Sequence, residues 1–211
     1  SEIYASVQTV ASHADGFKSS ISGPGVGNYI TMAKCVASAS QVLGMKSLRN
    51  ETYVHAHGTG TVANRTSESH ILDKIAKAFG IKSWPVTGIK SYLGHSMATA
   101  AGDQLSCVLG TWNKGIVPRI HSIEKVAEDV FDENLNILIK DKIEDINFYK
   151  GAFLNAKGFG GNNASALIIS PEVTKTLIKK RHTSKELKAY LRKLEATRTK
   201  TRKYNKSATK G

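Results

Sequence analysis

Cysteine is scarce in this sequence: 211 residues contain two, Cys35 and Cys107. Two cannot build a disulfide scaffold, and they are not clustered as a metal site requires, so zinc and iron–sulfur readings drop out. No uncharged apolar run approaches the roughly 18 residues of a membrane span, and the opening SEIYASVQTVAS lacks the basic-then-apolar order of a secretory signal. These features fit a reducing compartment, and the expected location is cytoplasmic. Aromatic residues are also thin at the far end. A single tyrosine in the last fourteen residues, RTKTRKYNKSATKG, gives no stacking platform for single-stranded nucleic acid.

What is present is the composition of a folded chain, 40% hydrophobic and 22% charged. The net charge of +13 is unevenly placed. Residues 172–211 hold fourteen Lys/Arg against three Asp/Glu, whereas 1–171 hold sixteen against fourteen. A near-neutral globular part, 1–171, therefore precedes a basic C-terminal extension, 172–211. Three roles stay open for the extension: docking an acidic carrier protein, packing against the rest of a larger enzyme, or solubilising electrostatics.

Within 1–171, strand-length apolar stretches alternate with helix-like ones, the rhythm of an α/β architecture. Residues 3–10 alternate as a strand, and a glycine-rich loop, SGPGVG at 22–27, separates them from a helix that should end near Gly44. YVHAH at 53–57 reads as a strand, HGTGT at 57–61 as a turn, and SESHILDKIAKAF at 67–79 as a helix. The pattern repeats with a strand at 86–90, a turn at 91–95 and a small-residue helix over about 97–113. Beyond Pro118 the chain reads as irregular until GAFLNA at 151–156 and NASALIIS at 163–170, which flank KGFGGN as a hairpin. Thr183 and Glu186 form a capping box for an amphipathic helix of roughly 184–197, and the final fourteen residues read as disordered.

Three glycine-bearing turns follow predicted strands, where active sites collect in open α/β sheets. His57 opens the first, His95 closes the second, and Phe159 sits in the third between Gly158, Gly160 and Gly161. Any one of these histidines, read alone, is as well explained by a hydrogen-bonded structural role. Phe159 alone would pass for a core aromatic, and Thr59 and Thr61 for ordinary turn residues.

HGTGT at 57–61, KSYLGH at 90–95 and NAKGFGGNNA at 155–164, in that order, resemble the C-terminal half of β-ketoacyl-acyl carrier protein synthases. These are condensing enzymes of the thiolase-like fold, and the resemblance covers about residues 1–170. It implies a layered αβαβα architecture with this chain as the C-terminal lobe. The implied reaction is decarboxylative Claisen condensation of malonyl-acyl carrier protein with an enzyme-bound acyl thioester, in fatty acid or polyketide biosynthesis. In that scheme His57 and His95 donate N–H to the enolate-like oxygen left by loss of CO2. Lys90 supports them electrostatically, and Glu68 is the acidic partner. Thr59 and Thr61 hold the phosphopantetheine arm, and Phe159 gates the site while its N–H helps form an oxyanion hole.

The implied partners are acyl carrier protein, the N-terminal half of the same enzyme, and a second copy in a homodimer. Neither metal nor any cofactor beyond the carrier-borne phosphopantetheine is expected, and nucleic acid is not an expected partner. Cys35 and Cys107 lie inside helical runs, so neither serves as the nucleophile. That cysteine is expected upstream, in an N-terminal half that this sequence does not include. Departures from the family pattern are Lys157 for an apolar or aromatic residue, Val62 and Arg65 where Pro and Asp are frequent, and Gln104 where many have Glu. The competing reading is a non-catalytic chain-length factor, which usually lacks the two histidines. Thiolases share the fold without HGTGT and KSxxGH. A binding protein acting through its basic tail is the reading from another class.

Overall fold

A computed structural model describes residues 2–16 and 25–209. In chain order the elements are β1 (Ser6–Ala14), α1 (Val26–Asn50), β2 (Thr52–His55), α2 (Val62–Phe79), β3 (Trp84–Thr87), the single turn α3 (Lys90–Leu93) and a 3-10 turn (Met97–Thr99). Then come α4 (Ala100–Lys114), β4 (Ile116–Val117), β5 (Leu135–Ile137), β6 (Lys142–Ile143), β7 (Gly151–Gly158), a second 3-10 turn (Phe159–Gly161), β8 (Asn162–Ile169), α5 (Pro171–Arg181) and α6 (Ser184–Ala208). Residues 22–24 of the expected glycine-rich loop fall outside the described residues.

Six strands form one mixed sheet in the order β1-β8-β7-β2-β3-β5. The hairpin β7–β8 pairs from Gly151 with Ile169 to Gly158 with Asn162 and carries β1 antiparallel on its outer side, while β7, β2, β3 and β5 run parallel. Burial on both faces explains why β2 and β7 read as continuous runs without alternation. On one face Val54, Phe153, Leu167 and Trp84 pack against Met32 and Val36 of α1 and Leu72 and Ile75 of α2. On the other, Tyr53, Ala152, Leu154 and Ile168 pack against Val108 and Trp112 of α4. The described chain is thus a helix–sheet–helix body, and solvent meets the far side of α4 at Gly102, Ser106 and Gly110, one helical turn apart.

Several elements differ from the sequence expectation. Lys90 lies in a helical turn instead of a strand, because β3 ends at Thr87. Strand β5 has only three residues, too few for a periodicity to register. The long helix α1 leaves helical geometry at Gly44 (φ 78°, ψ 158°) but resumes to Asn50. Helix α5 is announced by Ser170 as its cap and Pro171 in its first turn, and its Val173 and Leu177 pack on the core. The last fourteen residues, expected to be disordered, are helical through Ala208. The capping box of Thr183 and Glu186 starts α6, and Glu195 pairs with Arg198 one turn on and with Arg202 two turns on. Among the described residues no helix is long and apolar enough to cross a membrane.

Candidate active site

The C-terminal ends of β2 and β7, together with the chain leaving β3, meet at one edge of the sheet, and each delivers a residue singled out above. The imidazoles of His57 and His95 stand edge to face with ring centroids 5.3 Å apart. Their Nδ1 atoms are both occupied. His57 Nδ1 accepts the Lys157 backbone N–H at 3.2 Å, and His95 Nδ1 accepts that of Met97 at 3.0 Å. A neutral imidazole that accepts at Nδ1 carries its proton on Nε2, so the backbone fixes the same tautomer in both rings. For His95 this involves strain: Met97 adopts a left-handed φ of 58°, a conformation that non-glycine residues hold only where the surroundings enforce it.

Burial pushes the His57 imidazole down to about 4, with Lys90, His95 and Lys157 adding to the effect and Glu68 opposing it. Desolvation and Lys90 also hold His95 below its ordinary value, against Asp103. Both rings are therefore neutral near pH 7 and act as N–H donors without charge. His55, buried two residues back at the end of β2, is pushed down to about 3, first by burial and then by Lys90. Two buried histidines that stay neutral make stability pH-dependent in a definite direction. The unfolded chain takes up protons below the ordinary 6.5 while the folded site resists down to about 4. This contribution is complete above the unfolded value and is lost as pH falls through that window. Denaturant midpoints should fall between those two values more steeply for the native protein than for the double variant His55→Gln/His57→Gln. Parallel curves would refute the buried neutral state.

Glu68, on α2, does not pair directly with Lys90. Its Oε1 accepts the His57 N–H at 2.7 Å and the Asn155 side-chain amide at 2.7 Å, and its Oε2 accepts the Gly58 N–H and the Asn64 side chain, both at 3.0 Å. Two of these bonds hold the turn after β2 directly, and the other two tie Glu68 to Asn155 on β7 and to Asn64 at the start of α2. Lys90 Nζ donates to the His57 carbonyl oxygen at 2.5 Å, and desolvation lowers its pKa while Glu68 and Asp103 resist. The cation thus fixes the backbone of one histidine and brings positive charge near both.

Sequence reasoning passed over Asn155, which links Glu68 to Asn28 and Ser165 across the sheet. A polar residue at a fully buried position in GAFLNA was the available signal. Gln104 donates its amide to the carbonyls of Ala56 and Asn155, joining the ends of β2 and β7. A glutamate at this position would have no donor for either carbonyl unless protonated, and then a single O–H for one of them. Lys157, the departure from pattern, is buried and reaches the Ser67 hydroxyl at 3.3 Å.

Phe159 is 69% exposed, two residues beyond the Lys157 N–H that contacts His57. Gly160 and Gly161 take φ values of 78° and 79°, which a side chain would resist, whereas Gly158 is extended and needs no glycine. Thr61 caps α2 by accepting the Asn64 N–H, and Thr59 lines the mouth of an adjoining cavity. Cys35 and Cys107 are each pushed up to about 11 by burial, the state of an unreactive thiol. Among the described residues no cluster of three His, Cys, Asp or Glu could hold a metal ion.

Residues 4–124 match the family model of the β-ketoacyl synthase C-terminal domain. Over 210 residues the chain is 49% identical to the β-ketoacyl-[acyl-carrier-protein] synthase FabY of Pseudomonas aeruginosa, covering 100% of this chain and 33% of that protein. The crystal structure of that organism's noncanonical ketosynthase FabY superposes with a TM-score of 0.89 at 50% identity, covering 97% of this chain and 32% of the other. The ishigamide ketosynthase/chain length factor shares the fold, with a TM-score of 0.61 at 23% identity over 80% of this chain and 38% of the other. The chain thus spans about a third of the length of the FabY protein it matches.

Proposed function

Because the chain belongs to the β-ketoacyl synthase family and matches the C-terminal domain of such enzymes, we propose that it supplies the decarboxylation site for a carbon–carbon bond-forming condensation. The reaction joins malonyl-acyl carrier protein to an acyl group held as a thioester on a cysteine of the N-terminal half. One observation carries the reading: two neutral imidazoles 5.3 Å apart, each held by a backbone N–H at Nδ1. Loss of CO2 leaves two electrons on the malonyl α-carbon, delocalised onto the thioester oxygen. Two Nε2–H donors stabilise that oxygen where charge develops. The carbanion then attacks the acyl carbonyl, and the cysteine thiolate leaves. Lys90 holds the His57 backbone and adds positive potential. The phosphopantetheine arm, delivered by the carrier protein, lies along Thr59 and Thr61, and the Phe159 turn opens to admit it.

Two histidines in donor form favour a catalytic subunit over a chain-length factor. The deciding experiment is CO2 release from malonyl-acyl carrier protein by the intact enzyme, before and after the upstream cysteine is acylated. Absence of release from either form would overturn the reading.

The outer side of α4, where Gly102, Ser106 and Gly110 carry almost no side chain, is the natural seat for the remainder of a layered αβαβα enzyme that also assembles as a homodimer. Small residues let a second helix approach closely. Gly110→Leu in the intact enzyme is expected to prevent the halves from closing, read as loss of the native species in size-exclusion chromatography. Normal elution with full activity would show that α4 faces solvent.

Helix α6 carries nine Lys/Arg against two Asp/Glu, and one ion pair, Arg198 with Glu2 at 3.3 Å, reaches back toward the N-terminus. Deleting residues 183–211 should leave the melting temperature nearly unchanged. It should flatten the salt dependence of carrier-protein affinity, since exposed charge chiefly sets encounter rate. An unchanged salt response would assign α6 to another partner.

A further inference from the structure

Beside the two histidines lies a chamber of about 450 Å³, within the range of roughly 300–1,000 Å³ typical of small-molecule sites. Val86, Leu135 and Ile137 of the sheet and Leu72 of α2 line it on one side, and a strap of irregular chain over residues 120–130 contributes Ile123 and Val130 on the other. Gly58, Lys90, Gly94 and His95 line its end beside the histidine pair.

The strap is not a loose flap. Arg65 pairs with Asp129 through two bonds of 2.9 Å. The Ser69 hydroxyl accepts the Phe131 N–H at 3.1 Å, and Asp73 accepts the Asn134 N–H at 2.8 Å. Residues 65, 69 and 73 fall one turn apart on a single side of α2 and so hold the C-terminal end of the strap and the chain just after it, while the Ile120 N–H to the Leu138 carbonyl and the His121 N–H to the Ser91 hydroxyl hold its start. The space behind it belongs to the fold. An apolar interior with a cation at one end fits one class of molecule, a straight aliphatic chain with an anionic head. Glu68 also lines the chamber, its two oxygens engaged by N–H donors, and Lys90 and Lys125 in the same lining outweigh its single negative charge. Lys90 donates one of its three protons to the His57 carbonyl and has two to offer.

We infer that the chamber binds a medium-chain aliphatic carboxylate, its tail under the strap and its head against Lys90 and His95. Binding follows from the chamber alone. Its consequence rests on the proposed condensation: a head group at His95 occupies the place of the malonyl thioester, so a free fatty acid would restrain the enzyme at the step that lengthens acyl chains.

Isothermal titration of the intact enzyme with hexanoate, octanoate and decanoate tests the assignment, with decyltrimethylammonium as the same tail on a cationic head. Affinity should rise about four-fold per methylene, the gain expected from burying it, and the cationic probe should fail to compete. Ala127→Phe and Val130→Phe, both on the strap and lining the chamber, should weaken decanoate at least ten-fold while the melting temperature holds. Decanoate should raise the apparent KM for malonyl-acyl carrier protein in the native enzyme and much less in Ala127→Phe. Equal affinity for both head groups, or binding indifferent to both variants, overturns the chamber assignment. An enzyme that releases CO2 yet binds no decanoate overturns this inference alone. One that binds decanoate through the strap yet releases no CO2 overturns the condensation reading alone.

Discussion

His57→Ala and His95→Ala are each expected to lower malonyl decarboxylation by about 10²–10³-fold in the intact enzyme, the cost of removing one oxyanion donor. Acylation of the upstream cysteine, which does not generate the enolate, should suffer far less. The two variants should differ in a second respect. His57 is buried, and its Nδ1 anchors the Lys157 N–H, so its loss also leaves a cavity and an unpaired backbone donor, and the variant should melt lower. His95 is exposed, and His95→Ala should melt like the native enzyme. Single-turnover CO2 release and thermal unfolding, measured on the same preparations, separate the two effects. Undiminished CO2 release in both variants would remove the histidines from the chemistry.

The largest stability loss is expected at Glu68. Removing its carboxylate strands the N–H groups of His57 and Gly58 and the amides of Asn64 and Asn155, and each buried donor left unpaired costs about 1–3 kcal/mol. Some relaxation is inevitable, so a net loss of roughly 3–5 kcal/mol is expected for Glu68→Ala, as when one partner of a buried charged pair is removed. That corresponds to about 6–20 °C in melting temperature for a body of this size. Glu68→Gln keeps the shape but turns one acceptor into a donor that must face an N–H, so it should fall between the two. Asn155→Leu breaks the same network from the other side. If Glu68→Ala proves nearly neutral, the turn after β2 is held by something other than this carboxylate.

These energetics explain how much the sequence could reveal. The positions of His57 and Phe159 were legible because each sits in a short glycine-marked turn directly after a strand, where local pattern and position in the sheet agree, whereas His95 lies eight residues past β3, beyond the helical turn α3. The helix α2 was legible from Ile71 and Ile75 at helical spacing. Strand β5 was not, because three residues held by parallel pairing to β3 carry no period of their own. Helix α6 ran beyond its apolar stripe because side-chain pairing and good helix formers sustain it without a buried face. The network of Asn28, Asn155 and Glu68 joins positions up to 127 residues apart. Polar residues reveal such a network only when the fold has brought them together. Arg65 is the opposite case: a departure from pattern in sequence becomes intelligible once Asp129 is found opposite it.

The bond from the Lys157 backbone to His57 joins two things that could have been independent. The strand end that dictates where the imidazole keeps its proton leads, two residues later, into the Phe159 turn. A turn that swings aside and draws Lys157 with it frees Nδ1, and the ring can then exchange tautomers and present no hydrogen where one is needed. A turn that swings on its own glycines, leaving Lys157 in place, keeps the donor armed throughout. The left-handed pair Gly160 and Gly161 lies on the far side of Phe159 from His57, so under the proposed gating a hinge at those glycines would leave the donor in place.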